Sequence, residues 1–105
     1  MRFIETPLFT AALRRHLDDE TYRALQLALV LRPAQGPIVQ GGGGLRKLRW
    51  SARGRGKRGG VRLIYYWDPT SQTFYMLYLY AKNEQGDLTA AQLKVLARLV
   101  REEFV

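Results

Sequence analysis

The sequence predicts an α+β domain in which helices pack on an antiparallel sheet of about four strands. Runs of β-branched and aromatic residues, typical of strands, are separated by stretches with helical periodicity. These elements follow the order β-α-α-β-β-β-α, with a helical hairpin near the N-terminus and one helix at the C-terminus. At 105 residues the chain predicts a single domain, 1–105, with one modest core.

The first third of the chain is predicted to form one short strand and the helical hairpin. Residues 2–5 have strand character, and Thr6 suits the N-cap of a helix that begins with proline. Asp18 and Asp19 suit the start of a second helix, which should end at Arg32 before another proline. The hairpin is expected to cover one face of the sheet.

A glycine-rich loop is predicted over residues 33–44, PAQGPIVQGGGG. Four consecutive glycines cannot sustain the interior of a helix or strand without a large entropic cost. Residues 41–44 fit two interpretations equally well. One is a flexible connector, and the other is a backbone that approaches a ligand closely.

Two strands are predicted over residues 45–51 and 61–67, joined by a second glycine-rich segment. In the first strand Leu48 and Trp50 alternate with cationic side chains, so one face goes to the core and a basic face is left to solvent or a polyanion. The second strand is apolar on both faces, which is typical of a central strand. Arg62 enters the sheet directly after the loop.

The last predicted strand spans residues 73–81, and Lys82 lies just past its end. Thr89 and Gln92 form a capping box that begins the last helix. An apolar stripe on this helix faces either the core or a partner, and it consists of Leu93, Leu96, Ala97, Val100 and Phe104.

Positive charge is concentrated in the middle of the chain. The net charge is +8, and the interval between Glu20 and Asp68 contains no acidic residue. Such asymmetry favours an anionic partner, nucleic acid first and a membrane surface second, over a merely solvated basic face. Eight of the seventeen basic residues lie within residues 45–67, namely Arg46, Lys47, Arg49, Arg53, Arg55, Lys57, Arg58 and Arg62.

Several classes of function are disfavoured by what the sequence lacks. The chain has no cysteine, one histidine and no carboxylate cluster with ligand spacing, so no metal or other cofactor is expected. His16 is interpreted as an exposed or structural residue. The N-terminus lacks the apolar core of a signal peptide, and no apolar run approaches the ~18 residues of a membrane span. A cytoplasmic protein without a membrane partner is therefore expected.

Clustered cations allow one kind of chemistry without metal or histidine. Arginine and lysine stabilise the dianionic phosphorane of phosphodiester cleavage, and a lysine crowded by other cations has a lowered pKa. Such a lysine is a candidate general base near neutral pH. The substrate's own 2′-hydroxyl then serves as the nucleophile in RNA cleavage.

Three motifs follow one another in the second half of the chain: GGLRK at residues 43–47, KRGGxRxIYY at 57–66 and YxKNExxDL at 80–88. With the order of the helices, they resemble the HigB branch of the RelE-type toxins of bacterial toxin–antitoxin systems, over nearly the whole chain. The resemblance implies a RelE-like fold. Members are small basic proteins that cleave mRNA in the ribosomal A site and are held inactive by an antitoxin from the same operon.

The resemblance also implies roles for individual residues. Arg62 matches the strand arginine that contacts the scissile phosphate, Lys57 falls in the loop that supplies the base or a phosphate ligand, and Lys82 matches the basic position after the fourth strand. These three are the candidate catalytic residues. The RelE branch proper has an arginine where this chain has Asn83 and a C-terminal tyrosine where this chain has none beyond Tyr80, so the general acid and base are left unassigned. Contacts to RNA or the ribosome are expected from Lys47, Arg49, Arg53, Arg55, Arg58 and Asn83.

The implied partners are mRNA on the ribosome and a cognate helix-turn-helix antitoxin, with operator DNA contacted only through that antitoxin. An acidic antitoxin segment is expected to cover the basic loop, or antitoxin contacts to block its approach to the ribosome. The alternative is a non-catalytic basic module that binds RNA or ribosomes, or an inactive toxin homologue. A neighbouring reading frame for a small helix-turn-helix protein would favour the toxin.

Overall fold

The structure, a computed structural model, describes residues 1–51 and 60–104, except for the side chain of Phe104. Within these ranges the helices and strands follow the predicted order. They are β1 (Arg2–Glu5), α1 (Pro7–His16), α2 (Asp19–Leu31), β2 (Arg46–Trp50), β3 (Val61–Asp68), β4 (Thr73–Ala81) and α3 (Ala90–Leu99), which continues as a π-helical turn over Val100–Phe104.

The strands form one mixed sheet in the order β1-β4-β3-β2. The prediction of an antiparallel sheet is correct for β2, β3 and β4 but wrong for β1, which runs parallel to β4. A short hairpin forces its strands to be antiparallel, whereas β1 and β4 are joined through two helices and two further strands, so their direction is not constrained in this way. The pairing is reinforced where Phe3 stacks on Phe74, with ring centroids 4.8 Å apart.

Both faces of the sheet are covered, which confirms that β3 is a central strand. On one face Leu63 and Tyr65 pack with residues of α1 and α2, so the hairpin covers this face as predicted. On the other face Ile64 packs with Leu96 and Val100 from the C-terminal helical segment. The stripe residues Leu93, Leu96 and Val100 therefore face the core, and the side chain of Phe104 lies outside the described part of the structure.

The helix starts agree with the capping signals in the sequence. The hydroxyl oxygen of Thr6 accepts a hydrogen bond from the backbone N–H of Phe9 at 3.0 Å. The carboxylate of Asp18 accepts one from Thr21 at 2.7 Å. Thr89 and Gln92 form the predicted capping box at the start of α3. These local bonds satisfy helix-terminal N–H groups that have no partner within the helix.

A β-bulge divides β4 into two halves. Ile64 pairs with Tyr78 while Tyr65 pairs with Met76, so Leu77 is an extra residue in the strand. Thr6 holds the bulge, because its N–H donates to the carbonyl oxygen of Met76 at 3.1 Å and its hydroxyl to that of Leu77 at 2.8 Å. Past the bulge, even-numbered side chains of β4 lie on the α3 face.

The loop before β2 is a set of tight turns packed on the sheet. The N–H of Val39 donates to the carbonyl oxygen of Leu45 at 2.8 Å, and that of Gly42 donates to Val39 at 3.0 Å. Gly44 has a φ of +112°, and a Cβ built on it would lie 2.9 Å from Cε1 of Tyr66. Glycine is thus required here by the turn and by packing within the chain, which neither sequence interpretation anticipated.

A candidate nucleic-acid interface

A cleft of about 690 Å³ lies on the α3 side of the sheet, where β2, β3 and the end of β4 meet. One wall is formed by residues 37–40 of the loop before β2, and the other by residues 86–88 after β4. Four cations and one carboxylate line it, namely Lys47, Arg49, Arg62, Lys82 and Asp87.

Strand pairing places two of these cations directly opposite each other. Arg49 of β2 pairs with Arg62 of β3, and Arg62 pairs in turn with Tyr80 of β4. Like charges at directly opposed positions destabilise a sheet. The repulsion would be relieved by an anion bound between the two guanidinium groups, so this row is suited to a phosphate.

Arg62 is buried without a matching negative charge. The residue is only 8% exposed, and its Nη1 donates a hydrogen bond to the carbonyl oxygen of Val61 at 3.3 Å. Within residues 1–51 and 60–104, no carboxylate forms an ion pair with it. A guanidinium carries five N–H donors, and Arg62 lines the cleft, where a ligand can reach it. A ligand with several acceptor oxygens is the natural complement.

Lys47 and Asp87 form an ion pair at the wall of the cleft. Lys47 Nζ lies 2.9 Å from Asp87 Oδ1, which also accepts a hydrogen bond from the backbone N–H of Leu88 at 2.8 Å. The hydrogen bond from Lys47 and then that from Leu88 hold the pKa of Asp87 below its ordinary value. The carboxylate of Asp87 is therefore paired with Lys47, a cation that a phosphate in the cleft would also bind.

Tyr80 lies beneath this cleft. The residue is 3% exposed, and its hydroxyl has no hydrogen-bond partner among the described residues. Burial, followed by the charge of Asp87, raises the pKa of Tyr80 to about 12, against an opposing effect of Arg62. The sequence assigned no role to Tyr80 or Asp87. Their membership of the YxKNExxDL motif was the only signal, because their proximity depends on the turn after β4.

The candidate residues from the sequence divide into three groups. Four of them, Lys47, Arg49, Arg62 and Lys82, line the cleft together. Asn83 lies in the turn after β4 and does not line it. The remaining candidates lie outside the described residues, and they are Arg53, Arg55, Lys57 and Arg58.

Two other residues highlighted by the sequence have structural positions. Arg46 lies in the basic stretch but donates hydrogen bonds to the carbonyl oxygens of Ala34 and Gly36, at 3.0 and 2.9 Å. It therefore anchors the loop before β2. The side chain of His16 is 6% exposed at the end of α1, with Nε2 3.2 Å from Oε1 of Glu84, and the residue does not line the cleft. This position agrees with a structural interpretation of His16.

Comparison with known protein families assigns the chain to one family. The model of the RelE family, described as the RelE toxin of the RelE/RelB toxin–antitoxin system, matches residues 1–104. The protein belongs to the RelE toxin family and is the toxin of a toxin–antitoxin system. Toxins of this family are generally endoribonucleases. None of the described helices is long and apolar enough to cross a membrane.

Proposed function

We propose that this protein is a HigB-type mRNA interferase, a ribosome-dependent endoribonuclease that cleaves mRNA in the A site and so inhibits translation. The observation that carries the proposal is Arg62, a buried arginine without a described carboxylate partner, which pairs with Arg49 of the neighbouring strand and lines the cleft beside it. This row of donors suits the phosphodiester of a single RNA strand. The protein acts in the cytoplasm, where its substrate is translated.

The reaction needs no metal ion or cofactor. The 2′-oxygen of one nucleotide attacks the adjacent phosphorus, the bond to the 5′-oxygen of the next nucleotide breaks, and a 2′,3′-cyclic phosphate remains. One proton leaves the 2′-hydroxyl and another reaches the departing 5′-oxygen. Arg62 stabilises the charge that develops on the phosphate oxygens, and Lys57 and Lys82 are the catalytic candidates for the proton transfers.

The remaining cations hold the RNA and the ribosome. Lys47 and Arg49 lie in the cleft beside Arg62, and Asn83 follows Lys82 in the turn after β4. We expect the same kind of contact from Arg53, Arg55 and Arg58, which lie between β2 and β3 in the sequence. Phosphate contacts of this kind position RNA and supply much of the affinity, without reading its sequence.

A cognate helix-turn-helix antitoxin holds the toxin inactive and is its only link to operator DNA. We expect an acidic segment of the antitoxin to cover the basic loop, or antitoxin contacts to keep the loop from the ribosome, because a strongly cationic surface attracts carboxylates. Cross-linking of the complex distinguishes these arrangements. Contacts confined to a remote helix would favour steric exclusion.

Expression of the toxin without its antitoxin is expected to arrest growth, with protein synthesis stopping before RNA synthesis. The measurement is incorporation of labelled amino acids and nucleosides, with mapping of the 5′ ends of mRNA fragments to A-site codons. Co-expression of the antitoxin should restore growth. Normal growth and unchanged protein synthesis at confirmed soluble expression would contradict the proposal. Arrest with intact mRNA would indicate the non-catalytic binding module instead.

Binding to RNA or ribosomes is expected to weaken steeply with salt, because each phosphate contact releases counterions. The slope of log K against log salt concentration should be roughly −0.7 for each phosphate contacted on a single strand. Arg49→Ala should make the slope shallower by about one such contact. Lys94→Ala, on the exposed side of α3, serves as the matched control and should leave it unchanged. A slope near zero would show that the cleft is not the contact surface.

A further inference from the structure

Helix α1 is attached to β4 at one end and to the turn after β4 at the other. At its start, Thr6 donates hydrogen bonds to the carbonyl oxygens of Met76 and Leu77 at the bulge, at 3.1 and 2.8 Å. At its end, Nε2 of His16 lies 3.2 Å from Oε1 of Glu84, in the turn that follows the strand. The helix therefore spans the second half of β4 and reaches the segment beyond it.

The imidazole ring of His16 is buried without satisfying its nitrogens. Its side chain is 6% exposed, and neither ring nitrogen has a hydrogen-bond partner among the described residues. The contact with Glu84 has the distance of an ion pair but not the geometry of a hydrogen bond. Unsatisfied buried nitrogens destabilise a fold relative to an apolar ring, and an ion pair with an exposed carboxylate contributes little stability. Folding alone thus gives little reason for a histidine here.

The turn that His16 contacts carries a candidate catalytic residue. Lys82 is the first residue after β4, and it lines the cleft. Its backbone N–H donates to the carbonyl oxygen of Gly60 at 3.1 Å, next to the last pair of β3 and β4. The N–H groups of Glu84 and Gln85 both donate to the carbonyl oxygen of Ala81, at 3.0 and 3.2 Å. A shift of Glu84 is therefore passed to Lys82 through a short closed turn.

We propose that His16 is a positioning residue for Lys82, because its contact with Glu84 fixes the turn that directs the lysine into the cleft. A group that transfers a proton must lie within hydrogen-bond reach of the reacting oxygen, and a displacement of about 1 Å can cost a hundredfold in rate. His16 acts through Glu84 and does not contact the RNA. This role rests on the proposed function, because it requires Lys82 to take part in the cleavage.

His16→Phe tests the proposal, because phenylalanine keeps a buried ring and removes both nitrogens. The variant should cleave mRNA roughly tenfold more slowly at saturating concentrations of programmed ribosomes, with KM unchanged, since the turn affects the proton transfer and not binding. Its melting temperature should equal or exceed that of the wild type, because the unsatisfied nitrogens are gone. A purely structural histidine would give the opposite result, a lower melting temperature with kcat unchanged.

Variants of both partners show whether the contact itself matters. Glu84→Ala changes an exposed side chain, so it tests the contact without altering the core, and it should lower kcat as much as His16→Phe. The double variant should lose no more, because the two side chains act as one unit. His16→Gln places an amide nitrogen near the position of Nε2 and should restore most of kcat. Glu102→Ala removes another exposed carboxylate and is the matched control, with kcat unchanged.

The results distinguish failure of this role from failure of the proposed function. If His16→Phe has a normal kcat, or lowers it equally with and without Glu84, the role of His16 is overturned and the proposed function stands. The same holds if Lys82→Ala cleaves at the normal rate, since the contact then has no residue to position. If the wild type neither cleaves mRNA on ribosomes nor binds a single-stranded RNA oligonucleotide, the proposed function fails and the role of His16 fails with it.

Discussion

Replacement of Arg62 by alanine is expected to lower the rate of mRNA cleavage about a hundredfold, because loss of one pre-organised donor typically removes roughly 3 kcal/mol of transition-state stabilisation. Arg62 is held on the central strand between β2 and β4, where its pairing with Arg49 and Tyr80 determines its position. The measurement is single-turnover cleavage on programmed ribosomes. Antitoxin binding should be retained, and its measurement on the same variant shows that the protein is still folded.

Two further variants sharpen the test of Arg62. Arg62→Lys should recover little activity, because a point charge does not replace the planar fork that holds two phosphate oxygens. Arg98→Ala removes an exposed arginine of α3 and serves as the control with unchanged rate. The stability of Arg62→Ala should not fall, since the change removes the repulsion with Arg49. Normal cleavage by Arg62→Ala, with loss of cleavage in Lys57→Ala or Lys82→Ala, would show that the lysines carry the reaction.

Gly44→Ala is expected to lower the free energy of unfolding by roughly 2 to 3 kcal/mol, because a non-glycine residue in such a conformation is strained. The φ of +112° is one cause, and the other is the approach of the new Cβ to 2.9 Å from the ring of Tyr66. Tyr66 packs against the α3-side core, so the ring cannot move without disturbing that core. Chemical denaturation followed by circular dichroism measures the difference.

Gly86→Ala provides the control for this prediction. An added Cβ at Gly86 meets no atom within 4 Å, and its backbone is not in the left-handed region. The substitution should be neutral or slightly stabilising, since alanine restricts the unfolded chain. Equal stability of the two variants would show that the turn before β2 adapts to a side chain, and that its glycines serve another purpose.

The features predicted correctly from the sequence are those set by residues close together in the chain. Thr6, Asp18 and Thr89 cap the helices through bonds to residues three positions away. The alternation of Leu48 with its cationic neighbours places Lys47 and Arg49 on the cleft side because a strand has a period of two. The placement of Arg62 in the sheet was predicted from the same period and from the position of its strand at the centre of the sheet.

The features that were missed depend on contacts between distant parts of the chain. Nothing local indicates that β1 runs parallel to β4, since these strands meet through pairs such as Phe3 with Phe74. The ion pair between Lys47 and Asp87 joins residues 40 positions apart. No periodicity reports such a pair. Periodicity also could not show that the hydroxyl of Tyr80 would be buried without a hydrogen-bond partner among the described residues.

The extra residue in β4 determines how many side chains the strand contributes to each core. Before Leu77 the even-numbered side chains Phe74 and Met76 pack toward the hairpin, whereas after it Tyr80 packs toward α3. At the bulge the neighbours Leu77 and Tyr78 both pack on the α3 side. Removal of Leu77 would restore a regular ladder without changing the face of any other side chain in the strand. A single-codon deletion there would therefore take one apolar side chain out of the α3-side core and leave the hairpin-side core unchanged.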